Sequence, residues 1–343
     1  MTTDFGGLMK VAVIGGGSWG TALARLLAGA VDESVLWFHE PSVEEVARRT
    51  RENQVYLPGF ALPANLRTTT DLADAVAGAE AIVAACPSHV MREVFAPARD
   101  LIAGEPLIVS ASKGIEAGSL QIMTEVLTDV LGERHRTRIG ALSGPSFARE
   151  VAAGMPTAVT VAAPEAASAE RIQALFSVPK FRVYSSTDVI GVELSGASKN
   201  VIAIAAGVSD GMGFGNSTRA AIITRGIAET ARLVASAGGD PQTSSGLSGA
   251  GDLILTCTGD LSRNRTLGVR LGRGEQLADI LADMKMVAEG VRNSQTVIAL
   301  ADKLGVELPI CAQVRAFLHG GTSAAEAAGT LMARSRKSEF WGV

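Results

Sequence analysis

The sequence predicts an α/β fold, with an N-terminal Rossmann-type doubly wound sheet followed by an all-helical C-terminal domain. Short apolar runs alternate with helical patterns as far as about residue 190, and strand-like runs are absent after it. A glycine-rich turn also joins the first apolar run to the first helical pattern. Such alternation is typical of a parallel sheet covered by helices on both faces. We therefore predict two domains, residues 1–190 and residues 191–343.

The expected strands are short runs of apolar and β-branched residues. They lie at residues 10–14, 35–38, 66–69, 81–85, 107–111, 139–142, 158–161 and 182–185. Helical spacing is found between them at residues 21–27, 43–51, 90–101, 120–131 and 165–176. In the second domain the predicted helices are residues 191–207, 218–237, 261–271, 289–304 and 323–336. The first of these is rich in alanine and nearly uncharged, which indicates a helix buried on all sides.

Composition indicates an ordinary soluble globular protein. The 343 residues are 47% hydrophobic and 19% charged, with a net charge of −4. Basic residues are scattered and aromatic residues are few, so no nucleic-acid surface is expected. No secretory signal is visible at the N-terminus, and the apolar runs are interrupted before they could span a bilayer. We therefore expect a cytoplasmic protein with no membrane insertion.

Cysteine and histidine usage points to neither a disulfide framework nor a metal site. Cys86, Cys257 and Cys311 are widely spaced, odd in number and without a CxxC motif, which fits a reducing compartment. The four histidines show no metal-ligand spacing. We therefore expect no metal.

The most specific motif is the turn after the first strand, where Gly15-x-Gly17-x-x-Gly20 leads into a helix. In a dinucleotide-binding turn, the first glycine permits the sharp bend and the second lets the pyrophosphate approach the backbone. The third lets helix and strand pack closely. Phosphates then bind the free N–H groups at the start of the helix. The motif therefore predicts a dinucleotide-binding site.

Lys199 and Asp252 are the first candidates for chemistry. Lys199 lies in an almost uncharged helix. Its ammonium group either has a partner inside the protein or reaches solvent through the length of its flexible side chain. Asp252 follows a glycine-rich turn and is either the cap of a helix or the counter-ion of a buried lysine. The local sequence leaves both alternatives open.

Three further segments fit an anionic ligand. Ser262-Arg-Asn-Arg265 offers guanidinium groups, which match phosphate geometry, although solvated surface charge is the alternative. Lys113 follows the fifth predicted strand, at the sheet edge where ligands bind in α/β folds. The turn Ser143-Gly-Pro-Ser-Phe147 follows the sixth strand and offers free N–H groups and hydroxyls.

Taken in order, these segments resemble the bacterial NAD(P)-dependent glycerol-3-phosphate dehydrogenases. The resemblance covers nearly the whole chain, and its ordered set of motifs is more specific than any one of them. The matching residues are 15–23, 36–39, 87–89, 112–114, 143–148, 181–184, 199–203, 251–253, 255–258, 262–265 and 287–290. Ser146 stands where the family often has threonine, so the hydroxyl is kept.

The resemblance implies reversible reduction of dihydroxyacetone phosphate to sn-glycerol 3-phosphate, which supplies phospholipid synthesis. It implies that Lys199 is the proton donor or acceptor, with Asp252 and Lys113 also catalytic. The implied substrate contacts are Lys113, Gly144, Ser146, Lys199, Asp252, Ser262, Arg263 and Asn264. The implied cofactor contacts are Ser18, Trp19, His39, Lys113, Ala148, Arg263, Val287 and Glu289, in addition to Gly15, Gly17 and Gly20.

The sequence indicates the choice between NAD and NADP less clearly than it indicates the cofactor turn itself. Glu40 lies twenty positions after Gly20, where an acid bonds the ribose of NAD, but Glu40-Pro41 also reads as a helix entry. His39 could instead accept the 2′-phosphate of NADP, so we expect use of both NAD and NADP.

Broad apolar faces in the second domain also suggest a homodimer.

Two other classes of function remain open at this stage. One is another two-domain dehydrogenase, acting on a hydroxyacid. The other is a regulator that senses NAD(P) without turning it over. The arginine pair and the combination of Lys199 with Asp252 favour the phosphorylated substrate over both.

Overall fold

The computed structural model describes residues 9–284, 288–336 and 338–339. The chain packs as two compact units. The first, here called the sheet unit, contains residues up to 112 and residues 123–189. The second, the helical unit, contains residues 113–122 and the chain from residue 190 onward. The units differ from the predicted domains at residues 113–122, which pack with the helices.

The sheet unit contains eight strands, each at a predicted apolar run. They are β1 (Lys10–Ile14), β2 (Glu33–Trp37), β3 (Leu66–Thr69), β4 (Ala81–Ala84), β5 (Leu107–Ser110), β6 (Ile139–Ser143), β7 (Thr157–Ala162) and β8 (Phe181–Ser186). Their order across the sheet is β3-β2-β1-β4-β5-β6-β7-β8. The order reverses beside β1, which is the arrangement of a doubly wound sheet. The predicted fold class is therefore confirmed.

Two strands, β7 and β8, run against the predicted direction. β7 pairs antiparallel with β6, with Leu142 opposite Val161, while β8 is parallel to β7. The prediction of an all-parallel sheet was therefore wrong for these two strands. A parallel neighbour needs a crossover long enough to return along the whole strand. The connection from β6 to β7 contains a helix of only five residues, Ala148–Ala152, so the chain re-enters the sheet in the opposite direction.

Both faces of the sheet are covered by apolar side chains. Along β1, Val11 and Val13 belong to one buried cluster, while Ala12 and Ile14 belong to another. Successive side chains of a strand point to opposite faces, so both faces of β1 are buried. This burial explains why the central strands read as continuous apolar runs rather than as alternating patterns.

Seven helices belong to the sheet unit. They are α1 (Ser18–Ala28), α2 (Pro41–Thr50), α3 (Leu72–Val76), α4 (Met91–Phe95), α5 (Met123–Leu131), α6 (Ala148–Ala152) and α7 (Ala166–Phe176). The predicted helix at residues 90–101 is interrupted, because Pro97 has no N–H to continue α4. The predicted helix at 120–131 starts later, at Met123, because Leu120 has a left-handed backbone with φ 60°. α3 and α6 were not predicted, since five residues are too few to show a period.

Eight further α-helices lie in the described residues of the helical unit. They are α8 (Val189–Gly211), α9 (Asn216–Ser236), α10 (Asp252–Thr258), α11 (Arg263–Gly272), α12 (Leu277–Asp283), α13 (Glu289–Leu304), α14 (Pro309–His319) and α15 (Ala324–Met332). All five helices predicted for this part of the chain are present. The last ends at Met332 rather than at residue 336, and α12 and α14 were not predicted.

α8 is the central helix of its unit. It is long and apolar enough to cross a bilayer, contrary to the expectation that no run would be, but 83% of its most apolar window is buried inside the protein. α8 is therefore a core helix. It meets α11 closely, because a Cβ on Gly207 would lie 2.2 Å from the carbonyl oxygen of Arg265. This contact brings the start of α11 beside the residues that follow Lys199, where Asn264 Nδ2 donates to Asn200 Oδ1 at 2.9 Å.

Candidate active site

The predicted cofactor turn lies between β1 and α1. Gly15 has φ +130°, and a Cβ there would lie 2.6 Å from the carbonyl carbon of Ala85. A Cβ on Gly20 would lie 1.9 Å from the carbonyl oxygen of Gly15. Both positions therefore require glycine, one for its backbone conformation and the other for close packing of helix against turn.

Gly17 differs from its neighbours because a Cβ there would enter open space. It is the N-cap of α1, and no side chain caps this helix. Its first-turn N–H groups therefore lack a side-chain acceptor, which suits a pyrophosphate. The buried Nε1 of Trp19 also has no hydrogen-bond partner among the described residues. An open space beside free donors fits a nicotinamide dinucleotide, with Ser18 and Trp19 in the first turn of the helix.

Two candidate cofactor residues follow β2. His39 is exposed, and its ring lies 6.0 Å from the ring of Trp37. Glu40 is the N-cap of α2 but forms no side-chain cap. Instead its Oε1 accepts a hydrogen bond from the Tyr56 hydroxyl at 2.7 Å, and this bond raises the pKa of Tyr56 to about 12. Both alternatives for Glu40 have structural support, since it enters a helix and keeps a fixed carboxylate beside His39.

The turn after β6 has the features expected of an anion site. Gly144 has φ +147°, and Ser146 Oγ donates to the Gly144 carbonyl oxygen at 2.9 Å. Ser143 Oγ is buried and has no hydrogen-bond partner among the described residues. Ala148 is the first residue of α6, and no side chain caps that helix. Backbone donors and a hydroxyl therefore meet in one turn.

The helical unit brings together the three residues predicted to be catalytic. The Lys199 Nζ lies 2.5 Å from Asp252 Oδ1, and the Lys113 Nζ lies 2.5 Å from Asp252 Oδ2. Lys199 comes from the middle of α8, Asp252 from the first turn of α10, and Lys113 from the segment 113–122. Asp252 is therefore the counter-ion of a buried lysine; it does not cap the helix, because the N-cap of α10 is Gly251 and a π-helical turn, Leu247–Gly251, precedes it. Thr256 Oγ1 completes the surroundings of Lys199, 3.1 Å from its Nζ.

Burial makes this cluster electrostatically unusual. Lys199 is 8% exposed and Asp252 is 1% exposed. Desolvation lowers the pKa of Lys199 to about 7, although the charge of Asp252 opposes the change and that of Lys113 assists it. Burial alone would raise the pKa of Asp252, but the two ammonium groups outweigh it and hold this pKa below its ordinary value. The cluster therefore pairs a fixed carboxylate with a lysine that titrates near neutral pH.

The predicted phosphate cluster lies at the start of α11. Ser262 is the N-cap, and its Oγ accepts a hydrogen bond from the Arg265 N–H at 3.2 Å. Arg265 is bound to Asp210 and Asp260 by ion pairs of 2.9 and 3.1 Å. Arg263 is exposed and forms no hydrogen bond or ion pair within the described ranges. Of the two arginines, Arg263 is therefore the one whose guanidinium remains for a ligand.

The Asn264 side chain forms hydrogen bonds inside the protein that the sequence does not indicate. Its Nδ2 donates to Asn200, and its Oδ1 accepts from the Gly290 N–H at 3.0 Å. The asparagine thus links α11 to α8 and to the first turn of α13. Glu289 is the first residue of α13, whereas Val287 lies outside the described residues.

Three buried residues near the cluster were not singled out from the sequence: Asn200, Thr256 and Asn293. Thr256 lies four residues after Asp252, so the two share one face of α10. Asn293 lies three residues after Gly290 and four before Val297, which places it on the apolar stripe of α13. A polar residue on an apolar stripe is a signal that could have found Asn293. No comparable signal marks the bond from Asn200 to Asn264.

Metal chemistry has no candidate site in the part of the chain that the structure describes, where no group of three His, Cys, Asp or Glu side chains could hold an ion. Cys86, Cys257 and Cys311 are buried and form no disulfide with one another.

Two family models match the chain in sequence. The model of the N-terminal part of NAD-dependent glycerol-3-phosphate dehydrogenase matches residues 10–169, and the model of its C-terminal part matches residues 188–329. Together they cover most of the chain. The chain belongs to this family.

Curated relatives give the same result over nearly the full length. A glycerol-3-phosphate dehydrogenase [NAD(P)+] of Myxococcus xanthus is 52% identical over 335 residues, which cover 98% of this chain and 100% of the relative. One from Citrifermentans bemidjiense is 51% identical over 330 residues, covering 96% and 98%. The family assignment therefore rests on both units.

Solved structures of the family share the architecture. Glycerol-3-phosphate dehydrogenase from Coxiella burnetii superposes with a TM-score of 0.90 at 38% identity, covering 95% of this chain and 99% of that one. D-mandelate dehydrogenase is similar in fold alone, with a TM-score of 0.62 at 14% identity. The similarity to the hydroxyacid enzyme therefore does not extend beyond architecture.

Proposed function

We propose that this protein catalyses the reversible reduction of dihydroxyacetone phosphate to sn-glycerol 3-phosphate with NADH or NADPH. The observation that carries this proposal is the buried cluster of Lys113, Asp252 and Lys199. It combines a proton donor poised near neutral pH with two cationic groups beside the place where negative charge develops. The names of the curated relatives, glycerol-3-phosphate dehydrogenase [NAD(P)+], agree with it. The product is the backbone for glycerophospholipid synthesis.

Lys199 supplies the proton. When bound, the reduced nicotinamide supplies the hydride to the ketone carbon. As negative charge develops on the ketone oxygen, the Lys199 ammonium donates a proton to it, and in the reverse direction the neutral amine accepts the proton. Asp252 orients Lys199 and balances its charge, while Lys113 provides a second cation for the oxygen. Proton transfer by a positioned group typically contributes about 10²–10⁴-fold in rate.

Phosphate recognition falls to the start of α11. The exposed guanidinium of Arg263 pairs with the phosphate, and the buried Ser262 and Asn264 fix the helix start that carries it. The turn that contains Gly144 and Ser146 adds backbone and hydroxyl donors. A sensor of NAD(P) has no need for this combination of a proton donor and a phosphate site.

The cofactor binds at the turn of Gly15, Gly17 and Gly20, with Ser18, Trp19, Ala148 and Glu289 as further contacts. Lys113 and Arg263 contact both cofactor and substrate, and Val287 is a further cofactor contact by resemblance. The fixed carboxylate of Glu40 suits the ribose hydroxyls of NADH, while the exposed ring of His39 suits the 2′-phosphate of NADPH. Both cofactors are therefore used.

The test is the change in nicotinamide absorbance after dihydroxyacetone phosphate is added to the purified protein with NADH, and separately with NADPH. Rapid loss of absorbance is expected with both, and Lys199→Met is expected to bind cofactor but to lose turnover. Cofactor binding without any turnover by the wild-type protein would reject the reaction and favour a sensor. Turnover of a 2-ketoacid in place of the ketone phosphate would favour the hydroxyacid class.

As part of this proposal, the protein is a cytoplasmic homodimer. A groove in the helical unit, with a volume of about 620 Å³, supports the dimer. This apolar groove lies among α8, α9, α14 and α15. Its apolar lining includes Val208, Met212, Ile222, Val314, Phe317 and Leu331. Three buried cysteines that form no disulfide with one another support a reducing compartment.

A further inference from the structure

We propose that Asn293 is a positioning residue for catalysis, because its side-chain amide holds the backbone segments from which both Lys113 and Lys199 extend. This inference rests on the proposed function, since it concerns the same lysine cluster. Among the described residues, Asn293 forms no hydrogen bond with either lysine side chain; it binds the main chain of Lys113 and of Ala197, two residues before Lys199.

Asn293 is almost fully buried, with 1% of its surface exposed. Its Nδ2 lies 3.3 Å from the carbonyl oxygen of Lys113 and 3.2 Å from the carbonyl oxygen of Ala197. An amide nitrogen carries two N–H donors, so one side chain can serve both acceptors. α13 is thereby tied at a single residue to the segment 113–122 and to α8.

These two carbonyl groups are close in the chain to the two cations. Lys113 contributes both the carbonyl oxygen and the ammonium that contacts Asp252 Oδ2. Ala197 precedes Lys199 by two residues on α8, and the Lys199 ammonium contacts Asp252 Oδ1. Asp252 therefore links the two ammonium groups, and Asn293 links the two backbone segments that carry them. The amide and the carboxylate together fix the separation of the two lysines.

Loss of the amide has an electrostatic consequence. The charge of Lys113 helps to lower the pKa of Lys199, while the charge of Asp252 raises it. If the Lys113 backbone is released, its ammonium moves away from Lys199, and Asp252 is left to pair more fully with Lys199. The pKa of Lys199 then moves upward. A buried asparagine with only a structural role would change stability without this shift.

The experiment compares Asn293→Ala and Asn293→Ser with wild type in the full-length protein. Serine keeps one donor but is too short to bridge both carbonyl groups. Initial rates of dihydroxyacetone phosphate reduction are measured from about pH 6 to pH 10, with denaturant unfolding in parallel. We expect kcat to fall about tenfold, within the range for small misplacement of catalytic groups. The KM for NADH stays within about twofold, and the alkaline limb of kcat/KM moves to higher pH.

The matched control is Ser294→Ala, one residue along the same helix. Ser294 is fully buried, and its Oγ donates to the carbonyl oxygen of Val291 in its own helix at 2.7 Å. This bond does not reach the lysine cluster. Loss of stability without a change in kcat or in the alkaline limb is therefore expected for this variant.

A double-mutant cycle with Lys113→Met provides the decisive comparison. If Asn293 acts by holding Lys113, Asn293→Ala moves the alkaline limb little or not at all once Lys113 is replaced. An unshifted limb in both Asn293 variants, or an equal shift with and without Lys113, would overturn the inference. In either case an active wild-type enzyme would leave the proposed function intact. An inactive wild-type protein would instead reject the proposed function itself.

Discussion

In the proposed mechanism, the charge on Lys199 determines whether ketone reduction or alcohol oxidation is faster at a given pH. Ketone reduction requires the ammonium form, and alcohol oxidation requires the neutral amine. Because burial lowers the pKa of Lys199 to about 7, both forms are populated near neutral pH. An exposed lysine, with an ordinary pKa of about 10.4, would be protonated throughout this range and unable to accept a proton.

This pKa predicts opposite pH profiles for the two directions. The kcat/KM for reduction falls as the pH rises above about 7, and the kcat/KM for oxidation falls as the pH drops below about 7, because kcat/KM reports groups of the free enzyme. Initial rates in both directions measure these limbs. Lys303→Met, on an exposed lysine of α13, is the control and should keep both limbs. Identical profiles in the two directions would contradict the assignment of Lys199.

Arg263 predicts the preference for a phosphorylated substrate. A charge-assisted hydrogen bond contributes about 1.5–3 kcal/mol, so Arg263→Ala should lower kcat/KM for dihydroxyacetone phosphate by roughly ten- to a hundredfold. The KM for the cofactor should rise as well. The slow rate with unphosphorylated dihydroxyacetone should change much less, because that substrate offers no phosphate. Comparison of the two substrates therefore separates lost phosphate binding from general damage.

Arg273→Ala provides the control for that experiment, since Arg273 is exposed at the other end of α11. Its kinetics should match wild type with both substrates. An Arg263→Ala enzyme that loses equal activity with both substrates would exclude a specific phosphate contact.

The residue scale also shows what the sequence could and could not predict. Lys199 and Asp252 attract attention individually, because charges are unusual in apolar helices and at glycine-rich turns. Their ion pair cannot be read locally, since 53 residues separate them. Likewise, the sequence presents Arg263 and Arg265 as equivalent. Only the tertiary structure shows that Arg265 forms ion pairs with Asp210 and Asp260, whereas Arg263 is exposed.

At the scale of elements, the close crossing of α8 and α11 sets the position of the phosphate cluster. A Cβ on Gly207 would lie 2.2 Å from the Arg265 carbonyl oxygen, and one on Gly268 would lie 2.3 Å from the Ile204 carbonyl oxygen. The backbones therefore approach more closely than side chains would permit. This spacing is what allows the short Asn264 side chain to reach Asn200.

We predict that Gly207→Ala destabilises the protein, because the added methyl group forces α8 and α11 apart. Overpacking of this kind typically costs about 1–3 kcal/mol, measured here as the free energy of unfolding in denaturant. The KM for dihydroxyacetone phosphate should rise, since Arg263 and Asn264 move with α11. A gain in stability, as expected for glycine replacement in an unconstrained helix, would contradict the importance of this crossing.

Gly329→Ala is the matched control because Gly329 also lies within a helix, α15, where a Cβ would meet nothing within 4 Å. There alanine should stabilise the protein by about 0.5–1 kcal/mol, because it loses less backbone entropy than glycine on folding. A loss of unfolding free energy for Gly207→Ala together with a gain for Gly329→Ala would show that the destabilisation arises from the contact between α8 and α11.

Elements differ in how well they could be predicted. The central strands could be found because a strand buried on both faces is a continuous apolar run between turn residues, whereas β3 and β8 alternate buried with more exposed residues. The direction of β7 could not, because the sequence of β7 is the same whichever way it pairs with β6. α14 was missed although Pro309 marks its first turn and Gly320 its end, since periodicity was given more weight than these terminal signals.

At the scale of the whole molecule, the segment 113–122 departs from the predicted boundary at residue 190. It follows β5 directly in the chain, yet it packs in the helical unit. Helical periodicity cannot reveal this, because the segment forms no helix. Two interactions hold this segment against the helices: the ion pair of Lys113 with Asp252, and the hydrogen bond from Asn293 to the Lys113 carbonyl oxygen. Neither can be predicted from the sequence, because the partners are far apart along the chain.

The apolar groove of the helical unit supports the proposed homodimer. Ile222, Phe317 and Leu331 line it without being fully buried. Its lining also includes both signs of charge, since Arg225 and Arg334 lie with Glu339 around it. A two-fold interface sets a patch against its own copy, so a patch with both signs can be complementary to itself. A second copy of the chain therefore suits this groove.

We predict that wild type elutes with twice the monomer mass of 35.3 kDa and that Ile222→Asp shifts it to the monomer. A carboxylate placed in each copy of an apolar interface would be buried without a counter-ion, which is strongly unfavourable. Light scattering coupled to size exclusion measures the mass. Leu281→Asp, on an equally apolar side chain that is 41% exposed on α12 and outside the groove, should remain dimeric. A monomeric wild type would reject the dimer, and a dimeric Ile222→Asp would place the interface on another surface.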